Sequence, residues 1–112
     1  MNQNKVLSLV GLAAKAGKVV SGEFSTEKAV KTGQAFLVLV SEEASGNTRK
    51  KFQNMCAYKE VPIVVYGAKE AIGRAMGKEM RASLAILDQG LADAIKKQLS
   101  VENNGGSKYV ED

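Results

Sequence analysis

The sequence contains no histidine, no tryptophan, one proline and one cysteine among its 112 residues. Without histidine it lacks the commonest general base and the commonest metal ligand of proteins. The single cysteine, Cys56, excludes an intramolecular disulfide and is too few for a structural zinc site. We therefore expect a binding protein that uses no metal and no cofactor, rather than an enzyme.

Long apolar segments are also missing. The apolar runs fall far short of the ~20 residues that a membrane-spanning helix needs. The first five residues read Met-Asn-Gln-Asn-Lys and lack the apolar run of a signal peptide. Because a chain with one cysteine also fits a reducing compartment, the sequence predicts a cytoplasmic protein with no membrane partner.

Charge is present in both signs but is unevenly distributed. The formal net charge is +4, from 16 basic and 12 acidic residues. Residues 1–99 hold 15 of the basic and 9 of the acidic residues, a net charge of +6, and residues 100–112 have a net charge of −2. A basic body favours a polyanion as partner, although the same charge also serves solubility alone.

Apolar spacing predicts alternating helices and strands. Helices are expected at about 4–16, 25–32, 69–75 and 89–99, and a further helix is expected to start at 46 or 48 and to reach about 59, with N-caps at Ser25 or Thr26 and at Ser45 or Asn47. Strands are expected at about 18–21, 35–40, 61–66 and 83–87, and the longer ones are apolar on both faces, as in strands that helices cover on both sides. These patterns predict an α/β fold, a three-layer α/β/α sandwich with a short mixed sheet of about four strands. Residues 1–99 are expected to form one domain and the polar, glycine-rich residues 100–112 a flexible tail.

Gly22 lies between the first predicted strand and the second predicted helix. The N–H groups of such a turn and the positive end of the helix form an anion site, to which Lys18 and Lys28 add charge. The alternative is an ordinary strand-to-helix turn that binds nothing. The spacing alone leaves both possibilities open.

A second glycine-containing segment, residues 73–81, reads Gly-Arg-Ala-Met-Gly-Lys-Glu-Met-Arg. A nucleotide-hydrolysing phosphate loop needs four residues between its glycines and Ser or Thr after its lysine. Here the spacing is one residue short and Glu79 follows Lys78, so nucleotide hydrolysis is rejected. What remains is a basic loop that suits either a phosphate backbone or simple exposure to solvent.

Three other features are weighed against simpler interpretations. The run at residues 49–51, Arg-Lys-Lys, is either an RNA-facing patch or a solvated helix face. The adjacent carboxylates of Glu42 and Glu43 have no partner that would complete an acid/base mechanism. Cys56 is expected in the core beside Met55 rather than as a nucleophile.

Five ordered blocks of sequence match one known family. They are residues 12–23 (LAxKAGKxVSGE), 28–40 (KAVKxGxAxLVLV), 43–51 (EASxNTxKK), Val61-Pro62, and 72–81 (IGxAxGKExR) with Ala85-Ile86, where x marks a position outside the match. Over about residues 5–99 the chain resembles bacterial members of the kink-turn RNA-binding family of ribosomal proteins, the L-seven-Ae / L-thirty-e type.

The resemblance implies the same sandwich and the binding of structured RNA, such as a kink-turn, which is a sharply bent duplex with tandem sheared G·A pairs. It also implies a ribosomal or ribosome-associated protein that acts as a monomer. Family members read the RNA with two elements. Carried over, the first consists of Gly22, Glu23, Phe24, Ser25 and Lys28, and the second consists of Lys78, Glu79, Met80, Arg81 and Ala82. Lys18 and Lys31 are expected to add attraction at longer range, as is Lys15.

One departure from the family pattern falls within the first element. Kink-turn readers often have Asn-Glu where this chain has Phe24 and Ser25. Phe24 can stack on a base but cannot form the polar contact, and Ser25 keeps one hydrogen bond. We therefore expect this chain to retain the family's contacts with phosphates more fully than its contacts with bases. The departure also favours an alternative, a translation-associated protein-interaction adaptor that does not read RNA directly; an RNA-modifying enzyme is a third, less favoured hypothesis.

Overall fold

The computed structural model describes residues 4–106. In chain order the elements are α1 (Lys5–Lys15), β1 (Val19–Ser21), α2 (Glu23–Lys31), β2 (Leu37–Val40), α3 (Gly46–Lys59), β3 (Ile63–Val65), α4 (Lys69–Ala75), β4 (Ser83–Ile86) and α5 (Gln89–Gly106). None of these helices is both long and apolar enough to cross a membrane.

The four strands form one mixed sheet in the order β1-β4-β2-β3. Strand β2 runs parallel to β3, whereas β4 runs antiparallel to both of its neighbours. Side chains alternate across β2, so that Leu37 and Leu39 pack with α1, α4 and α5, and Val38 and Val40 pack with α2 and α3. The predicted three-layer sandwich and its four-stranded mixed sheet are confirmed.

Helix α2 begins earlier than predicted. Its N-cap is Gly22, not Ser25 or Thr26. Thr26 is buried, and its hydroxyl oxygen accepts a hydrogen bond from the Ser83 hydroxyl at 3.3 Å. The Thr26 side chain therefore joins α2 to β4 instead of capping the helix. The N-cap of α3 is Ser45, which was one of the two predicted residues. Its hydroxyl oxygen accepts a hydrogen bond from the Thr48 N–H at 3.1 Å.

Helix α5 continues to Gly106, beyond residue 99, where the sequence pattern placed its end; the flexibility predicted from residue 100 stays a prediction. Leu99 packs in the core, and the Glu102 carboxylate accepts a hydrogen bond from the Tyr66 hydroxyl at 3.1 Å. These contacts hold the additional turn of helix against the body of the domain. The rest of the predicted tail, residues 107–112, lies outside the described residues.

Candidate nucleic-acid interface

The two elements predicted to contact RNA lie side by side at one end of the sheet. Because β1 and β4 are antiparallel, the end of β1 is adjacent to the start of β4, with Ser21 paired to Leu84. The Gly22 N–H donates to the Ser83 carbonyl at 3.0 Å, and Arg81 Nε donates to Ser21 Oγ at 3.0 Å. Residues 21–25 and 78–82 thus form one continuous face, here named the turn–loop surface.

The backbone at Gly22 has φ 94° and ψ 158°, a region that only glycine adopts without strain. No side chain caps α2, although the Gly22 carbonyl accepts the Thr26 N–H at 2.9 Å. The N–H groups of Glu23, Phe24 and Ser25, which precede the first intrahelical donor, therefore remain available to a ligand. The positive end of the helix dipole lies at the same place, so the turn favours an anion.

Within residues 4–106, three lysines of the predicted site have no carboxylate partner, although Lys18 lies at the other end of β1 from Gly22, beside Leu87. Lys18, Lys28 and Lys78 are exposed, and in the part of the chain that the structure describes they form no ion pair. Lys78 belongs to the turn–loop surface, Lys28 follows it on α2, and Lys18 is more distant and adds attraction for phosphate at longer range.

Two other charged residues of the predicted site are engaged within the protein. Lys31 Nζ lies 2.8 Å from a Glu27 carboxylate oxygen, and Glu23 lies 2.8 Å from Lys51 on α3. Lys51 also contacts Glu27 at 2.8 Å. Hydrogen bonds from Lys31 and Lys51 lower the pKa of Glu27 to about 2. Lys31 is therefore partly neutralised, and Glu23 serves to join α2 to α3.

Each element of the turn–loop surface presents one large apolar side chain to solvent. Phe24 on α2 is 78% exposed, and Met80 in the loop before β4 is 63% exposed. Exposed apolar side chains beside cations suit stacking on an unpaired base, and they also suit contact with a protein partner.

Helix α4 packs against the loop before β4 and supports it. Gly73 is buried, and a Cβ at that position would overlap the carbonyl oxygen of Glu79. The Arg81 N–H donates to the Lys69 carbonyl at 3.1 Å, and the Arg81 guanidinium donates to the Met80 carbonyl at 3.0 Å. Arg81 therefore braces the loop rather than projecting freely into solvent.

Ala82 is a support as well, since its carbonyl accepts the Ser41 N–H at 2.8 Å. Of the second predicted element, Lys78, Glu79 and Met80 are exposed and Ala82 is half-buried. The sequence interpretation did not assign Gly73 a supporting role. A glycine inside a predicted helix was the available signal, because glycine there is unfavourable unless another group needs the space.

The remaining sequence features have structural roles. The Glu43 carboxylate accepts the Lys69 N–H at 3.0 Å, at the first residue of α4. Cys56 is fully buried in the core, as predicted, and burial raises the pKa of its thiol to about 11. Lys51 of the basic run is held by carboxylates of α2. Among the described residues, no group of His, Cys, Asp or Glu is placed to hold a metal ion.

The fold and this surface define a small α/β/α domain with a basic glycine turn and a supported loop at one end of its sheet. The model of the Ribosomal protein L7Ae/L30e/S12e/Gadd45 family matches residues 4–96, and the chain belongs to this family.

Two bacterial relatives extend the match. The RNA-binding protein YlxQ of Bacillus subtilis (strain 168) is 44% identical over 87 residues, which cover 78% of this chain and 87% of the relative. The RNA-binding protein YlxQ of Enterococcus faecium is 35% identical over 96 residues, which cover 86% and 92% respectively. Both relatives are named as RNA-binding proteins and not as enzymes, in agreement with the expectation of a non-enzymatic binding protein.

Solved structures show the same architecture. A protein of unknown function from Bacillus halodurans C superposes with a TM-score of 0.85 at 36% identity, covering 88% of this chain and 99% of that one. The Giardia lamblia 15.5kD RNA binding protein superposes with a TM-score of 0.76 at 23% identity, covering 90% and 92%. At that identity the second likeness concerns the fold alone.

Proposed function

We propose that this protein binds structured RNA through the turn–loop surface, as a ribosomal or ribosome-associated protein, and that a bent RNA of the kink-turn type is its target. The observation that carries the proposal is the hydrogen-bonded contact between the two elements, Gly22 N–H to Ser83 carbonyl and Arg81 to Ser21. The names of the two YlxQ relatives and the family membership support RNA as the partner.

Different groups at this surface form different contacts with the RNA. Lys78 and the nearby Lys28 attract the phosphates of the two RNA strands, and Lys18 adds attraction at longer range. The uncapped first turn of α2 binds one phosphate or base edge with its N–H groups. Because Gly22 has no side chain, the RNA backbone approaches the turn closely.

Recognition by this surface depends more on RNA shape than on base identity. Phe24 offers a stacking face and Ser25 offers one hydroxyl, where family members often use Asn-Glu to read guanines. Stacking tolerates every base because each base has a π face. We therefore expect a preference for a bent RNA with an unstacked nucleotide and a weak dependence on the identity of its G·A pairs.

The deciding experiment titrates the protein with a fluorescent kink-turn RNA and with the same stem lacking the bulge, at several salt concentrations. If about four phosphates are neutralised, log Kd should change with log salt with a slope of magnitude about 3, from roughly 0.7 to 0.9 per phosphate. Tight binding to the bent RNA alone supports the whole proposal. Equal, salt-sensitive binding to both leaves a general binder of structured RNA.

A pair of aromatic variants locates the binding surface. Phe24→Ala should weaken binding of the bent RNA about tenfold, since one base–aromatic stack contributes about 1–3 kcal/mol. Tyr58→Ala is the matched control, because Tyr58 is 84% exposed on α3 and outside the turn–loop surface. Equal effects of the two changes would move the binding site away from this surface.

A protein-interaction adaptor is the second candidate, and the exposure of Phe24 and Met80 favours it. An adaptor would bind neither RNA in the titration. It would also be purified without the 260 nm absorbance of retained nucleic acid, which is easily seen in a chain that has no tryptophan and three tyrosines.

A further inference from the structure

A groove adjoins the turn–loop surface and runs away from it along the seam between α1 and α4. It has a volume of about 450 Å³, and its lining includes Ser8, Leu12 and Lys15 of α1. A second depression, lined in part by Ser25 and Lys78 of the turn–loop surface, shares the lining residues Ala14 and Met76 with it. The two depressions are therefore adjacent.

Small residues create this groove. Gly11, Ala14, Ala75 and Gly77 line it, so that little side-chain volume fills the space between the two helices. At Gly11 the helices are in direct contact, because a Cβ there would lie 2.9 Å from the carbonyl oxygen of Ala75. Leu12, which is 55% exposed, supplies an apolar wall.

The charges along the groove indicate the chemistry of its occupant. In the described part of the chain, no acidic side chain lines this groove or the depression that joins it to the turn–loop surface, whereas Lys15, Lys78 and Arg81 do. A third depression, which also includes Gly77, is lined by Glu70 and Glu79 as well as by Arg74 and Lys78. A polyanionic strand that leaves the turn–loop surface thus meets carboxylates along one path and only cations along the α1 path.

We propose that an unpaired RNA strand continues from the turn–loop surface into the groove between α1 and α4. Lys15 binds a phosphate of this strand, and Leu12 packs against a ribose or base. The span from Ser8 to Lys15 is two helical turns, ~10 Å, which corresponds to about three nucleotides if the strand keeps the ~3.4 Å spacing of stacked bases. The inference rests on the proposed RNA binding and specifies its ligand as a bent RNA with a short single-stranded extension.

The test compares a core bent RNA with the same RNA extended by three nucleotides at its 5′ or its 3′ end. One extension should raise affinity about three- to tenfold and steepen the salt slope by roughly 0.7 for each added phosphate contact. Lys15→Gln should abolish that gain, measured for each protein as the ratio of its affinities for the extended and the core RNA. Lys5→Gln is the matched control, because Lys5 is exposed on the same helix but does not line the groove.

A second variant does not depend on removing a lysine. Ser8→Glu places a carboxylate at the far end of the groove on an exposed helical position, and it should reduce the gain from the extension.

The outcomes separate the two proposals. If neither extension increases affinity, or if Lys15→Gln retains the gain as fully as Lys5→Gln does, the groove is not an RNA site, while core binding still supports the proposed function. If the wild-type protein does not bind the core RNA, the proposed function fails and the groove inference fails with it.

Discussion

Gly73 and the carbonyl oxygen of Glu79 are in such close contact that no side chain fits between them. Gly73 belongs to α4, and Glu79 belongs to the loop that carries Lys78 and Met80. The backbone of α4 therefore determines the position of the loop that forms one of the two elements of the turn–loop surface.

Replacing Gly73 should disturb the loop without changing the identity of any residue of the turn–loop surface. Gly73→Ala should destabilise the fold by about 1–3 kcal/mol, because the added methyl group pushes the Glu79 carbonyl away. The same change should weaken RNA binding. Urea unfolding and the RNA titration measure the two effects, and wild-type values in both would contradict the proposed support.

Replacing Gly22 tests how backbone strain affects stability at a position where an added side chain causes no steric crowding. A Cβ at Gly22 meets nothing within 4 Å, yet φ is +94°. Gly22→Ala should therefore lower the free energy of unfolding by about 1–3 kcal/mol through strain alone. Gly46→Ala is the control, since that position is equally open and has no positive φ. Similar unfolding midpoints for the two variants would rule out the strain argument.

Gly22 should also matter for binding. Gly22→Asp adds both a side chain and a negative charge where the RNA backbone is proposed to approach. It should weaken RNA binding more than Arg49→Ala, which changes a half-buried residue of α3. The opposite order in the titration would move the site onto α3.

The carboxylate of Glu27 should make stability depend on acid pH. Its pKa is lowered from 4.5 to about 2, chiefly by the hydrogen bond from Lys31 and then by that from Lys51. Between these pH values the unfolded chain binds more protons, so the stabilisation is complete above pH 4.5 and is lost as the pH falls towards 2.

Glu27→Gln should accordingly reduce stability at pH 7 and flatten its decline between pH 5 and pH 2. High salt should shrink the difference from wild type, because the ion pairs are near solvent. Glu42→Gln is the control, as Glu42 is exposed and forms no ion pair within residues 4–106. Parallel pH profiles for wild type and Glu27→Gln would contradict the assignment.

Cys56 should resist thiol reagents in the folded protein. Its side chain is fully buried, and burial raises its pKa to about 11, so little thiolate forms at pH 8. Modification by a chromogenic disulfide reagent should be slow in buffer and fast in urea. Fast reaction in buffer would show that α3 opens readily from the sheet.

The sequence determined the layers of this fold because side-chain periodicity records which faces are buried. Strand β2 is apolar at every position, and the structure divides Leu37 and Leu39 from Val38 and Val40 between two cores. Local signals were weaker at helix ends. Threonine is a common N-cap residue, but Thr26 is buried and its hydroxyl is hydrogen-bonded to that of Ser83 instead.

The sequence by itself also supplied the residues of the candidate site, through the Gly22 turn, the lysines and the family pattern. Only the tertiary structure decided how they are used. The antiparallel pairing of β1 with β4 joins two segments about 60 positions apart, such as Ser21 and Arg81. The packing of α2 against α3 places Glu23 in an ion pair with Lys51, whereas Lys18, Lys28 and Lys78 are exposed to solvent. Long-range pairing of this kind depends on packing between distant segments, whereas the periodicity read from a sequence records only the burial of each segment.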